Sequence, residues 1–158
     1  GLKHEITRKI PYIAVNALGE RIEDLIHRKA IDFQQFDLVI YAAGDPTLGL
    51  YLNQFGHQSP NFPALLFTWL EPYGLGGHCL LTNTRRMDAR GCFGCLFNSP
   101  IAGANRGNRA DFAGPKQYFA KSVSGCATMY TPYADLDAAR TAELASRFAI
   151  DFLSNTRQ

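Results

Sequence analysis

The sequence predicts an α/β fold: the second half of a doubly wound, mostly parallel sheet with flanking helices and a long irregular loop. Three observations carry this. The stretches Leu38–Ala43 and Pro63–Leu70 are almost continuously apolar, as in strands covered on both faces. Apolar residues recur at helical spacing before, between and after these runs. Helix–strand–helix–strand order implies right-handed crossovers and parallel pairing. A chain of 158 residues, 46% hydrophobic and 19% charged, fits one domain, 1–158, with enough apolar mass for a core.

The elements follow in order. Leu2, Ile6 and Ile10 recur every four residues, as on one helix face, and Pro11 ends that helix. Tyr12–Val15 reads as a short strand. Gly19 breaks the chain, and Ile22, Leu25, Ile26 and Lys29 return to helical spacing. The first buried strand occupies Asp37–Ala43. Gly44 turns, Asp45 is a good N-cap and Pro46 a good first helical residue. Leu48, Tyr51, Leu52 and Phe55 form the apolar stripe of that helix. Pro63–Leu70 is the next buried strand. Gly74, Gly76 and Gly77 mark a turn, from which His78–Thr82 runs back as a strand. Asn83–Lys121 is mostly irregular, and a mobile loop is expected at about 98–122, rich in Gly and Asn. The last helix is marked by Ala138, Ala142, Ala145, Ala149 and Phe152, whose small side chains allow close approach to a sheet.

Several function classes are excluded. Sixteen basic against fourteen acidic residues give a net charge of only +2, which does not support nucleic-acid binding. The run Pro63–Leu70 is too short to cross a bilayer, and no apolar segment of a signal peptide follows Gly1. Without a secretory signal, the four cysteines point to thiols, thiolate chemistry or metal and to the cytoplasm. Charge is uneven: residues 30–84 hold no Lys or Arg, whereas seven basic residues lie between Arg85 and Lys121. That asymmetry fits a buried sheet followed by a solvated basic loop, or a loop that steers an acidic partner.

Asp45 falls where open α/β sheets hold ligands, beyond the carboxyl end of a strand. It either binds magnesium near a phosphate or only caps the next helix. Lys3 neutralises phosphate charge or is simply solvated. Cys92-Phe93-Gly94-Cys95 leaves too little room before Pro100 for the helix of a thioredoxin-type motif. A zinc half-site fits it better, with Cys126, His78 or Cys79, or a pair beyond Gln158, as further ligands. Cys126, after a basic loop, is a nucleophile or an inert thiol. His78 is a base, a ligand or a structural histidine, and Glu71 at a strand end has the same ambiguity.

Asp37-Leu-Val-Ile-Tyr-Ala-Ala-Gly-Asp45, with a helix ending in Leu52-Asn53, resembles the strand and loop after the nucleotide site of ThiF/MoeB-like adenylating enzymes, the relatives of ubiquitin-activating enzymes. Gly1-Leu2-Lys3 looks like the end of that family's G-x-x-K segment, and Cys92-Phe-Gly-Cys95-Leu-Phe97 like its zinc half-site. Gly125-Cys126 with Thr131-Pro132 is similar to the catalytic-cysteine segment. The segments Trp69-Leu-Glu-Pro, Gly-Gly-His78 and Thr131-Pro-Tyr133 look closest to the bacterial branch fused to a ubiquitin-conjugating-like domain, as in CBASS antiphage operons.

The resemblance implies an ATP-dependent enzyme that adenylates the C-terminal carboxylate of a protein substrate and passes it to Cys126 as a thioester. Lys3 and Asp45 would serve ATP and magnesium, Cys92 and Cys95 zinc. The partners would be the protein substrate, a ubiquitin-conjugating-like domain and a second copy in a homodimer. No G-x-G-x-x-G or G-x-x-x-x-G-K-[ST] turn is in the sequence, so the chain is expected to be the carboxyl-terminal portion of the adenylation domain and inactive alone. The rival expectation is a non-enzymatic α/β interaction module with structural zinc at Cys92 and Cys95.

Overall fold

The computed structural model describes residues 1–82, 91–97, 107–112, 117, 119, 121–122 and 129–155. The chain divides into two compact units, Gly1–Asp32 and Phe33–Gln158.

In the first unit, α1 (Leu2–Lys9) forms where the four-residue spacing places it, ending before Pro11, and α2 (Ile22–His27) buries Leu25 and Ile26. The strand expected at Tyr12–Val15 does not form. A strand needs a partner for its backbone groups; this segment has no ladder, and Tyr12 is 90% exposed.

The second unit holds β1 (Leu38–Tyr41), α3 (Pro46–Gln58), β2 (Ala64–Leu70) and β3 (Gly77–Thr82). Two short strands, β4 (Lys121–Ser122) and β5 (Met129–Tyr130), pair antiparallel, and α4 (Asp135–Asn155) follows. The main sheet has the order β1-β2-β3. β1 runs parallel to β2, and β3 runs antiparallel, with Trp69 opposite His78. The fold is therefore α/β, but its three-stranded mixed sheet is not the doubly wound, mostly parallel sheet the sequence led us to expect. The cause is the glycine turn at 74–77, which folds β3 back beside β2 instead of leading into a crossover helix; Glu71 N–H donates to Gly76 O at 2.8 Å to close it.

β2 is the centre of the core. Leu65, Leu66 and Phe67 are completely covered, each worth about 1.5–3 kcal/mol of burial. Phe67 stacks on Phe93 at 4.4 Å, and Phe33, Phe55 and Phe62 cluster at the other end of the strand. β1, an edge strand, is not buried on both faces, since Ile40 is 53% exposed. The buried positions of α3 are Gly49, Leu52, Asn53 and Gly56, one residue round from the expected stripe, because Phe93 and Phe62 press against the two glycines. α4 packs on β2 and β3 through Thr141 and Ala145. Among the described residues no helix is long and apolar enough to cross a membrane. The loop expected at about 98–122 falls largely outside the described residues.

Candidate functional site

Because β1 and β2 are parallel, their carboxyl ends, Tyr41 and Leu70, emerge on the same side of the sheet. A cavity of about 950 Å³ opens there, lined by both strand ends, by Ala138, Thr141 and Ala142 of α4, and by Thr131 and Tyr133. This is where open α/β sheets place ligands.

Asp45 stands on its wall. Gly44 adopts φ +71°, a conformation open to glycine, and turns the chain from β1 into α3. Asp45 Oδ1 then accepts from Thr47 N–H at 2.8 Å and Leu48 N–H at 3.4 Å, while the Tyr41 hydroxyl donates to the Asp45 carbonyl. The N-cap read from the sequence is present, and its carboxylate remains exposed to solvent at the cavity.

Glu71, just beyond β2, is the buried acid of the same wall. Its side chain is 4% exposed, and its Oε1 lies 2.7 Å from His78 Nε2, 12% exposed on β3. When Glu71 is ionised it only accepts, and Nε2 is then the donor. Trp69 stacks on one side of the imidazole at 4.6 Å, and Phe112 lies 4.5 Å away at a tilt. The Asp111 carboxyl, also on the cavity wall, is pushed up by desolvation and by the Glu71 charge, while His78 pulls it down. Among the described residues, Trp69 Nε1 is the buried side-chain polar atom without a hydrogen-bond partner.

Cys92 and Cys95 flank the first turn of a short 3-10 helix, with their sulfurs 3.6 Å apart. Asn53, buried on α3, ties this turn down: its Oδ1 accepts from Phe93 N–H at 3.1 Å and its Nδ2 donates to Cys92 Sγ at 3.5 Å. Burial pushes the Cys92 thiol up, but the hydrogen bonds from Asn53 and Cys95 outweigh it and leave its pKa below the ordinary thiol value. Two thiolates on one tetrahedral zinc stand about 3.8 Å apart, so the pair fits one ion as a half-site. Among the described residues no group of three His, Cys, Asp or Glu is placed to hold a metal. His78 and Cys79 therefore do not complete the site: His78 is held by Glu71, and Cys79 Sγ lies 3.6 Å from Thr68 Oγ1 within the sheet.

The structure brings Asp45, Glu71, Thr131 and Tyr133 to one cavity. Lys3 belongs to the first unit, exposed on α1, and Asp45 to the second. Cys126 lies outside the described residues. Sequence reasoning missed Asp111 and Phe112, which come from an irregular segment with no periodic signal. It also missed Asn53 as the anchor of the cysteine turn; a polar residue beside Leu52 on an apolar helix was the available clue. Comparisons with protein-family models, curated proteins and solved structures give no match.

Proposed function

We propose that this chain is the carboxyl-terminal part of an adenylating enzyme of the ubiquitin-activating type. The C-terminal carboxylate of a protein substrate attacks the α-phosphorus of ATP and releases pyrophosphate. The Cys126 thiolate then takes the acyl group as a thioester, and AMP leaves. A ubiquitin-conjugating-like domain receives the product, and the complete enzyme is a homodimer.

The observation that supports this reading is Asp45: an exposed carboxylate at the end of a parallel strand, on the wall of a large cavity. An exposed oxygen ligand of this kind suits magnesium, which usually keeps several waters and needs only one or two protein carboxylates. Bound there, magnesium would neutralise phosphate charge.

The test is Cys126→Ala in the complete enzyme with ATP and its protein substrate. Pyrophosphate release should continue, while the reductant-sensitive thioester band should vanish. A thioester that persists without Cys126, or moves to one of the other three cysteines, overturns the assignment.

One observation favours a second reading, a non-enzymatic interaction module with structural zinc: the 3.6 Å separation of the Cys92 and Cys95 sulfurs. Stoichiometric zinc in the purified protein, lost in Cys92→Ser together with partner binding and without any ATP turnover in the complete protein, would select it.

A further inference from the structure

We propose that the cavity at the carboxyl ends of β1 and β2 binds an organic cation: an ammonium, amidinium or guanidinium group carried on an apolar or aromatic body. The proposal rests on the cavity's walls and not on the adenylation reading, so failure of pyrophosphate exchange leaves it standing.

Three carboxylates line the cavity, those of Asp45, Glu71 and Asp111, and none of its described lining residues is Lys, Arg or His. Even with the His78 imidazole behind Glu71 counted as a cation, acids outnumber bases among the described residues. Such a wall concentrates cations, and it admits a phosphate only with its charge neutralised by magnesium. Aromatic rings supply much of the remaining surface, among them Trp69, Phe119 and Tyr133. Rings attract a cation through their faces and accept an apolar body equally well. The volume of about 950 Å³ suits a drug-sized molecule or a long side chain with its backbone.

Glu71 is the anchor. It is a buried carboxylate fixed in place by His78, so its position does not have to be organised when a ligand arrives. The upward push on the Asp111 carboxyl reflects in part the same negative field, which a bound cation would relieve. An organic cation suits Glu71 and Asp111 better than a metal caged by all three acids, because among the described residues these acids do not converge on one point.

Calorimetry on the whole chain at neutral pH with one body and three charges tests this. Benzamidine should bind, neutral benzamide at least about tenfold more weakly, and benzoate least of all. Glu71→Gln, which keeps a hydrogen-bonding side chain but removes the charge, should weaken benzamidine about tenfold. Should that variant unfold, the exposed Asp111→Asn carries the test in the same direction. A capped arginine tripeptide, compared with agmatine, distinguishes the source: tighter peptide binding assigns the cation to a protein segment, equal or weaker binding to a free small molecule. The proposal is overturned if benzamide or benzoate binds as well as benzamidine, or if Asp111→Asn and Glu71→Gln both leave benzamidine affinity unchanged.

Discussion

A Cβ atom on Gly77 would collide with Thr141 Oγ1. β3 and α4 thus meet with no room for a side chain between them, at the place where the hairpin leaves its turn. The same contact holds α4 beside the sheet, and Thr141 on α4 lines the cavity. Thr141 cannot simply swing away, because its hydroxyl donates to Asp137 O at 2.9 Å and its own Cβ is also too close.

Gly77→Ala should therefore destabilise the second unit by about 1–3 kcal/mol through overpacking. Its urea midpoint should fall, and adding Thr141→Ala should restore part of the loss. A midpoint equal to that of the parent chain would contradict the contact.

Asn53→Leu should detach the cysteine turn from α3. Phe93 N–H would lose its acceptor, at a cost of about 1–3 kcal/mol for a buried donor. Cys92 would lose the Asn53 hydrogen bond that favours its thiolate. The pH profile of Cys92 alkylation should then move to higher pH. An unshifted profile would show that Asn53 does not set the thiol's reactivity.

Asp111→Asn should stabilise the protein at pH 7. The folded-state pKa of Asp111 is raised, first by desolvation and then by Glu71, so its contribution to stability is full below the unfolded pKa and is lost as pH rises through the folded one. Asparagine removes that penalty. The gain should disappear below the ordinary carboxylate range, where both residues are uncharged. Thermal melts at the two pH values measure this, and a gain of equal size at both would assign it to packing instead.

How far the sequence announced all this varies from one element to another. The turn Gly44-Asp45-Pro46 states its own geometry, because cap and first-turn preferences are local. The run Pro63–Leu70 likewise marks β2, since only a central strand buries so many apolar residues in succession. Ile40 misleads for the opposite reason: the same apolar run on β1 lies at a sheet edge, a property of strand order and not of the run. The Glu71–His78 pair follows from the hairpin that sets Trp69 opposite His78, so it was within reach once β3 is recognised as returning. Phe112 reaches the imidazole, and Asp111 the cavity wall, from a segment whose path no local rule encodes. Parallel pairing, read from alternating helices and strands, holds for β1 and β2, where α3 supplies the crossover, and β3 returns antiparallel as the glycines at 74, 76 and 77 announce.

The central claim, that Asp45 serves nucleotide chemistry and is more than a helix cap, is tested most directly by ATP–pyrophosphate exchange in the complete enzyme carrying Asp45→Asn. Asparagine caps a helix about as well as aspartate, so α3 should survive with an unchanged melting temperature. The account predicts that exchange nevertheless falls at least about tenfold, because the charge proposed to hold magnesium is gone. Unchanged exchange with unchanged stability would reduce Asp45 to the cap that its bonds to Thr47 and Leu48 already describe.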